Sequence, residues 1–201
     1  LITVPQSIDQ PIEELNVARN TEKEIYDFIA SEMDELVNIL PPSYSPDEFG
    51  RPSKWAAYAL KSRAMLYAGS IAKYGTVQLN GILGIPAGEA NSYYQKSYDA
   101  SMQVINNSPH ALYKAHTDPV KNYNQLFLED ANSEVIMAEV HDLGLLKTHS
   151  WSFVCMPDGF QTGWGSNNWY YLESLEKYEY NDGTSGAIDP AMLDGKTKVS
   201  L

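Results

Sequence analysis

The chain has 201 residues, enough for one ordinary domain with its own core or for part of a larger one. Its 14 basic and 26 acidic residues give a net charge of −12, which argues against nucleic acid or an anionic lipid surface as a partner. Cys155 is the only cysteine, so the chain can build neither an internal disulfide framework nor a cysteine metal site. No apolar run reaches the roughly eighteen residues that indicate a membrane span.

The first predicted helix begins near Thr21, after an irregular lead-in over residues 1–20. Thr21-x-x-Glu24 is a capping-box pattern, and Pro41-Pro42 ends the helix. An apolar stripe at helical spacing supports the prediction. It consists of Ile25, Phe28, Ile29, Leu36, Val37 and Leu40.

The second predicted helix runs from about Ser53 to Tyr74, after a proline-rich linker over residues 41–52. Pro52 fixes the backbone at the start, Ser53 can accept a backbone N–H as N-cap, and Gly75 follows as a plausible closing residue. The helix is rich in alanine, and its small side chains let another helix approach closely. The apolar positions at helical spacing are Ala56, Ala59, Leu60, Arg63 (through its stem) and Leu66.

A glycine-rich loop over residues 76–90 precedes a third predicted helix, from about Asn91 to Asn106. The three helices start about 30 to 40 residues apart, which is close to the tetratricopeptide period. The consensus residues of that repeat do not align cleanly with this sequence. Spacing alone therefore does not assign the repeat.

After the third helix, the sequence predicts short elements and a long loop. Residues 132–140 predict a short strand because Val135-Ile136 follows a group of turn residues. Residues 143–169 predict a long loop rich in glycine, asparagine, serine and tryptophan, and loops of this length are usually functional or mobile. A short helix is expected near residues 171–178, and Asn181-Asp182-Gly183 predicts a tight turn.

The best ligand candidates lie in and just after this long loop. A sugar ring needs flat aromatic surfaces for its C–H face, and amides or carboxylates for its hydroxyls. The segment supplies both, and the chain is rich in tyrosine, with 14 Tyr. The alternative is that the tryptophans, Trp151 included, only anchor the loop on the helices. The predicted ligand-binding residues are Trp164, Asn167, Asn168, Trp169, Tyr170 and Tyr171.

The sequence contains no catalytic signature that points to a reaction. The four histidines show no metal-binding spacing, and residues 163–166 lack the order of a nucleophile elbow. No segment isolates two carboxylates in the apolar setting that glycosidases use. We therefore expect a binding protein rather than an enzyme, with no metal and no cofactor.

One helix also carries a family resemblance. Between Arg51 and Gly69 the chain resembles, nearly position by position, the alanine-rich helix that identifies the SusD/RagB family of outer-membrane nutrient-binding lipoproteins from Bacteroidetes. Asn132-Ser133-Glu134-Val135-Ile136-Met137-Ala138 is similar to a family segment that follows the third helix. The matching helix positions are Arg51, Ser53, Lys54, Ala56, Ala57, Ala59, Leu60, Arg63, Leu66, Tyr67, Ala68 and Gly69.

The resemblance implies a mainly α fold, a tetratricopeptide-like scaffold with long loop-rich insertions and short strands. Residues 1–201 would form a single partial SusD-like domain, with a helical scaffold over 21–107 and a loop-rich, ligand-facing region over 108–201. Its lipid-anchor cysteine would lie outside this sequence, which would then be an internal piece of a larger protein.

The implied function is capture of oligosaccharides or polysaccharides on the outer membrane, and delivery to a SusC-like TonB-dependent transporter. Peptide binding of the RagB type is the first alternative, and a glycoside hydrolase is the second.

Overall fold

The structure is a computed structural model that describes residues 1–141, 171–180 and 182–189. The chain forms two compact units, Leu1–Val140 and His141–Leu201. The expectation that the fold is mainly α is confirmed. The first unit contains α1 (Ile12–Leu15), α2 (Glu22–Ile39), α3 (Lys54–Tyr74), α4 (Ala90–Asn107) and α5 (Pro119–Leu126), and the second contains α6 (Leu172–Leu175).

The start of α2 shows why the long helices could be predicted. Thr21 Oγ1 accepts a hydrogen bond from the Glu24 backbone N–H at 3.2 Å, and Glu24 Oε2 accepts one from the Thr21 N–H at 2.8 Å. This is the predicted capping box, which satisfies two backbone donors that have no partner inside the helix. The loop before α4 is tied to the same end of α2, since Glu22 Oε2 accepts from the Gly84 N–H at 2.6 Å.

The core of the first unit forms around α3, which packs against both α2 and α4. Small side chains on α3 allow close approach, while the large side chains of Met65 and Tyr93 are almost completely enclosed. Ser97 Oγ on α4 donates to the Ser62 carbonyl of α3 at 2.8 Å. The buried cluster consists of Ala30, Met65, Ala68, Ala72, Ile85, Ala90 and Tyr93.

The apolar stripe predicted for α3 is not its buried face. The side chains that the core encloses are on another side of the helix, at Trp55, Ala57, Met65, Ala68, Gly69 and Ala72. Leu60 and Leu66 stay exposed, because α2 and α4 already cover the face with the smallest side chains. The α3 helix therefore carries two apolar faces, and only one is used in this packing.

Gly75 ends α3 as expected, but by a different backbone geometry. Its φ is −86°, so the residue is extended and not left-handed. A Cβ on Gly75 would lie 2.5 Å from the Ile71 carbonyl oxygen. Close approach to the last helical turn, and not a positive φ, makes glycine suitable at this position.

After α4, one local prediction needs correction and one helix was not predicted. Residues 132–140 contain turns and no strand. The Ala111 N–H donates to the Ser133 carbonyl at 3.0 Å, but no ladder of such bonds follows in the described chain, and Asn132 bonds locally instead. The α5 helix was not predicted, although Asp118 caps it by accepting from the Val120 N–H at 2.9 Å and Pro119 occupies its first position. The described residues contain two isolated β-bridges, Gln78 with Leu83 and Glu179 with Ser185.

In the second unit, α6 is shorter than the helix expected over residues 171–178. The predicted turn is present at Asp182-Gly183, where Gly183 has a φ of +79° and donates its N–H to the Tyr180 carbonyl at 2.8 Å. The long loop expected over residues 143–169 lies outside the described residues. Among the helices that the structure describes, none is long and apolar enough to cross a membrane.

Candidate binding site

A cavity of about 530 Å³ lies at the start of α3 in the first unit. Three separate segments form its wall: the linker from α2 to α3, the chain just after α4, and the chain just after α5. Its size is within the range of small-ligand sites. The aromatic and aliphatic lining includes Tyr44, Phe49, Val135, Ile136 and Met137, and the polar lining includes Glu48, Arg51, Ser53, His110 and Asp130.

The linker between α2 and α3 is held in place by its own hydrogen bonds. Tyr44 Oη donates to the Pro52 carbonyl at 3.2 Å, and the Lys54 N–H donates to the Pro41 carbonyl at 3.0 Å. Gly50 has a φ of +95°, and a Cβ there would lie 2.7 Å from Val140 Cγ2. Glycine is needed on both counts, and the linker is fixed against residues 138–140.

Asn132 and Glu134 hold the opposite wall. Asn132 Nδ2 donates to the carbonyls of Leu126 and Glu129, each at 2.9 Å, and its Oδ1 accepts from the Glu134 N–H at 3.0 Å. Glu134 Oε2 accepts from the Tyr113 N–H at 3.0 Å. Together they join the end of α5 to the chain after α4, so these two residues of the family-like segment position the cavity wall.

Ser53 is the buried polar residue of the lining. It is the N-cap residue of α3, but its side chain makes no capping hydrogen bond, contrary to the role that the sequence suggested. Its carbonyl accepts from the Ala56 N–H at 3.0 Å, while Oγ is enclosed and has no hydrogen-bond partner in the described part of the chain. Ser53 is only 7% exposed. A buried hydroxyl without a partner costs free energy.

The charges around the cavity are unevenly paired. Glu48 Oε1 lies 3.3 Å from Arg51 Nη1, and Glu48 Oε2 accepts from Ser45 Oγ at 3.2 Å. Asp130 forms no ion pair or side-chain hydrogen bond within the part of the chain that the structure describes. With histidine counted as neutral, Asp130 is the uncompensated charge of the described lining.

A second concavity, the α2–α3 groove, has a different chemistry. Its volume is about 510 Å³, and its lining is almost entirely aliphatic, with Arg63 as the charged residue. Arg63 forms no ion pair with any described residue. The lining includes Met33, Leu36, Leu40, Ala56, Ala59 and Leu60, so most of the predicted α3 stripe faces this groove.

A polar cluster lies beside α5. Burial, together with the nearby Glu129 carboxylate, raises the pKa of Tyr113 to about 12. No hydrogen bond of acceptable geometry joins Tyr113 Oη to that carboxylate, and His116 Nε2 lies 3.8 Å from Glu129 Oε1. A tyrosine held protonated in this way is not a base at neutral pH, so the cluster offers no evident chemistry.

The predicted ligand residues are placed as follows. Tyr171 directly precedes α6 and is 80% exposed, so its ring is open to solvent. Trp164, Asn167, Asn168, Trp169 and Tyr170 lie outside the described residues, and their predicted role stays a prediction. Sequence reasoning named no residue of the cavity as a ligand contact. Tyr44 and Phe49 in a proline-rich linker were the available signal, because rigid loops often carry binding residues.

Within the described residues, no group of three or more histidine, cysteine, aspartate or glutamate side chains could hold a metal ion. No protein-family model, no characterised protein and no solved structure matches the sequence.

Proposed function

We propose that this chain is the glycan-binding part of a SusD/RagB-like lipoprotein of the outer membrane. It captures oligosaccharides or polysaccharides at the cell surface and passes them to a SusC-like TonB-dependent transporter. Binding is reversible and non-covalent. In this proposal α2, α3 and α4, which begin at residues 22, 54 and 90, belong to a tetratricopeptide-like scaffold.

The lining of the cavity at the start of α3 is the observation that carries the proposal. A sugar has apolar C–H faces and a rim of hydroxyls, and it binds best where rings and aliphatic groups alternate with hydrogen-bonding groups. Tyr44 and Phe49 supply rings, while the exposed Asp130 supplies a carboxylate without a described side-chain partner. The resemblance of residues 51–69 to the family helix adds the class of ligand and the place of action.

The test is calorimetric titration of the intact protein against soluble plant, host and microbial glycans. Binding to one glycan class, weakened by Phe49→Ala, supports capture in the cavity. Weakening by Trp164→Ala or Trp169→Ala supports capture by the predicted loop site. A suitable control is Tyr98→Ala, because Tyr98 is 59% exposed on α4 and lines neither concavity. No binding by a folded protein to any glycan would contradict the proposal.

Peptide capture is the alternative that the α2–α3 groove favours. The groove is aliphatic, and Arg63 on its wall is a cation without an ion-pair partner among the described residues. Apolar peptide side chains fit such a surface, and a peptide carboxylate could bond to the guanidinium. A peptide library that binds, with affinity lost in Arg63→Ala and no glycan bound, would select this function.

Hydrolysis is the remaining alternative, since Glu48 and Asp130 both line the cavity. Glu48 is engaged by Arg51 and by Ser45, which does not resemble the apolar setting of a general acid. The proposed binding function predicts that a bound oligosaccharide is recovered intact. Turnover that disappears in Asp130→Asn or Glu48→Gln would establish an enzyme instead.

A further inference from the structure

We propose that the cavity at the start of α3 selects neutral, hydroxyl-rich sugars over sugars that carry a carboxylate or a sulfate. This selection rests on the proposed glycan binding and adds the charge class of the ligand. Two features of the lining support it: a cation that is already paired and a carboxylate that is not.

Arg51 is the cation that an acidic sugar would need. Its guanidinium lies 3.3 Å from the Glu48 carboxylate, and Arg51 follows Glu48 by three positions on the same linker. An incoming carboxylate would have to displace Glu48 or share the guanidinium with it. Both cost free energy, because the like charges of ligand and Glu48 would lie close together. The paired carboxylate therefore weakens the attraction of Arg51 for an anion, by a modest amount because the two side chains are 65% and 41% exposed.

Asp130 has the opposite property. It is exposed, lines the cavity, and has no ion pair or hydrogen bond within the described part of the chain. An ionised carboxylate only accepts hydrogen bonds, and its two oxygens can accept from two neighbouring sugar hydroxyls. The same charge repels a carboxylate or a sulfate on the ligand. Asp130 therefore favours the binding of neutral diols and disfavours the binding of acidic sugars.

Ser53, the buried polar residue of the described lining, is neutral. Its hydroxyl is enclosed in a residue only 7% exposed and has no hydrogen-bond partner among the described residues. It adds no positive charge that would offset Asp130.

The experiment compares neutral glycans with acidic versions of the same polymers. Soluble glucan, galactan and mannan oligosaccharides are titrated before and after oxidation of the C6 hydroxyl to a carboxylate. The intact protein is used at about pH 7.5, where an unperturbed histidine is neutral. We expect at least one neutral oligosaccharide to bind, and its oxidised form to bind about tenfold more weakly at low salt.

Asp130→Asn assigns the discrimination to this carboxylate. We expect the ratio between neutral and oxidised affinities to shrink in Asp130→Asn, while Glu35→Gln, which changes the net charge equally but lies outside both concavities, leaves it unchanged.

The outcomes separate the two proposals. Oxidised forms that bind as tightly as neutral ones, or a ratio unaffected by Asp130→Asn, would overturn the charge selection and leave glycan capture standing. Absence of binding to all six preparations by a folded protein would count against glycan capture itself, and the selection would fall with it.

Discussion

Gly69 of α3 lies directly against the aromatic ring of Tyr94 of α4. A Cβ placed on Gly69 would be 2.6 Å from Tyr94 Cδ1 and 2.7 Å from Cε1, closer than side chains approach in folded proteins. The contact involves the body of the ring and not the end of a flexible chain. The missing side chain at Gly69 therefore sets how closely α3 and α4 can pack.

Gly69→Ala is expected to destabilise the protein. Alanine would gain up to about 1 kcal/mol from helix propensity, but overpacking typically costs about 1–3 kcal/mol, and here a whole ring must move. The net effect should be a lower denaturation midpoint in urea. Gly88→Ala is the matched control, because nothing lies within 4 Å of a Cβ there. A Gly69→Ala variant as stable as Gly88→Ala would show that the helices separate without cost.

Ser53→Ala is expected to stabilise the ligand-free protein, against the usual behaviour of an N-cap serine. Loss of a working cap costs about 0.5–2 kcal/mol, whereas removal of an enclosed hydroxyl without a partner regains roughly 1–3 kcal/mol of desolvation. Ser53 makes no capping bond, so the second effect should prevail. Thermal unfolding of the two proteins measures the sign.

Thr21→Ala supplies the comparison, because Thr21 carries a complete capping box at the start of α2. We expect it to lose about 1 kcal/mol. Equal losses in Ser53→Ala and Thr21→Ala would mean that Ser53 Oγ does cap α3 in solution, and the orphan hydroxyl of the cavity would no longer exist.

Asp27 predicts an acid sensitivity. Burial acts to raise its pKa, but hydrogen bonds from Lys23 at 2.6 Å and from Tyr93 Oη at 2.9 Å outweigh burial and hold the pKa below its ordinary value. A carboxyl with a lowered pKa in the folded state stabilises that state above its unfolded pKa of about 4. This contribution is lost as the pH falls from there through the folded-state pKa.

The free energy of unfolding should therefore drop between about pH 5 and pH 3, and drop less in Asp27→Asn. Glu24 should also lower the free energy of unfolding as the pH falls, because hydrogen bonds from Thr21 and Asn20 lower its pKa in the folded state. Glu35→Gln removes one carboxylate elsewhere on α2 and serves as the control. Parallel pH profiles for the wild-type protein and Asp27→Asn would exclude Asp27 as a source of the acid sensitivity.

The long helices could be predicted because their signals are local. Thr21 and Glu24 start α2, and proline follows its end, so a few neighbouring residues decide each boundary. The strand expected over 132–140 failed because strand formation needs a partner segment, which local β-propensity does not specify. The buried face of α3 could not be predicted from the local sequence pattern either, because α3 has two apolar faces and the packing of α2 and α4 selects one of them.

The cavity could not have been predicted in the same way. Its wall combines residues from positions 42–53, 109–110 and 130–137, which only the fold brings together. The orphan state of Ser53 Oγ depends on where those segments pass, and the sequence indicated the opposite role. By contrast, the aromatic loop that includes Trp164 and Trp169 was visible as a pattern, and its role is a prediction that binding experiments must test.

Asn132 links the stability of the cavity wall to ligand binding. Its side chain makes three hydrogen bonds, to the carbonyls of Leu126 and Glu129 and from the Glu134 N–H. Asn132→Ala removes all three and should cost about 2–3 kcal/mol. Asn38→Ala is the control, because the exposed Asn38 side chain makes one bond, to the Asp34 carbonyl at 2.8 Å, and its loss should cost about 0.5 kcal/mol.

Asn132→Asp distinguishes the hydrogen bond that the Asn132 side chain accepts from the two that it donates. The carboxylate keeps an acceptor for the Glu134 N–H, but it faces two carbonyl oxygens with no donor, so we expect it to be at least as harmful as alanine. Urea unfolding measures the stability, and titration with the glycan that the wild-type protein binds measures the cavity. A displaced wall could not hold a ligand in the same place. A variant that loses stability but binds the glycan with wild-type affinity would therefore show that this wall is not part of the ligand site.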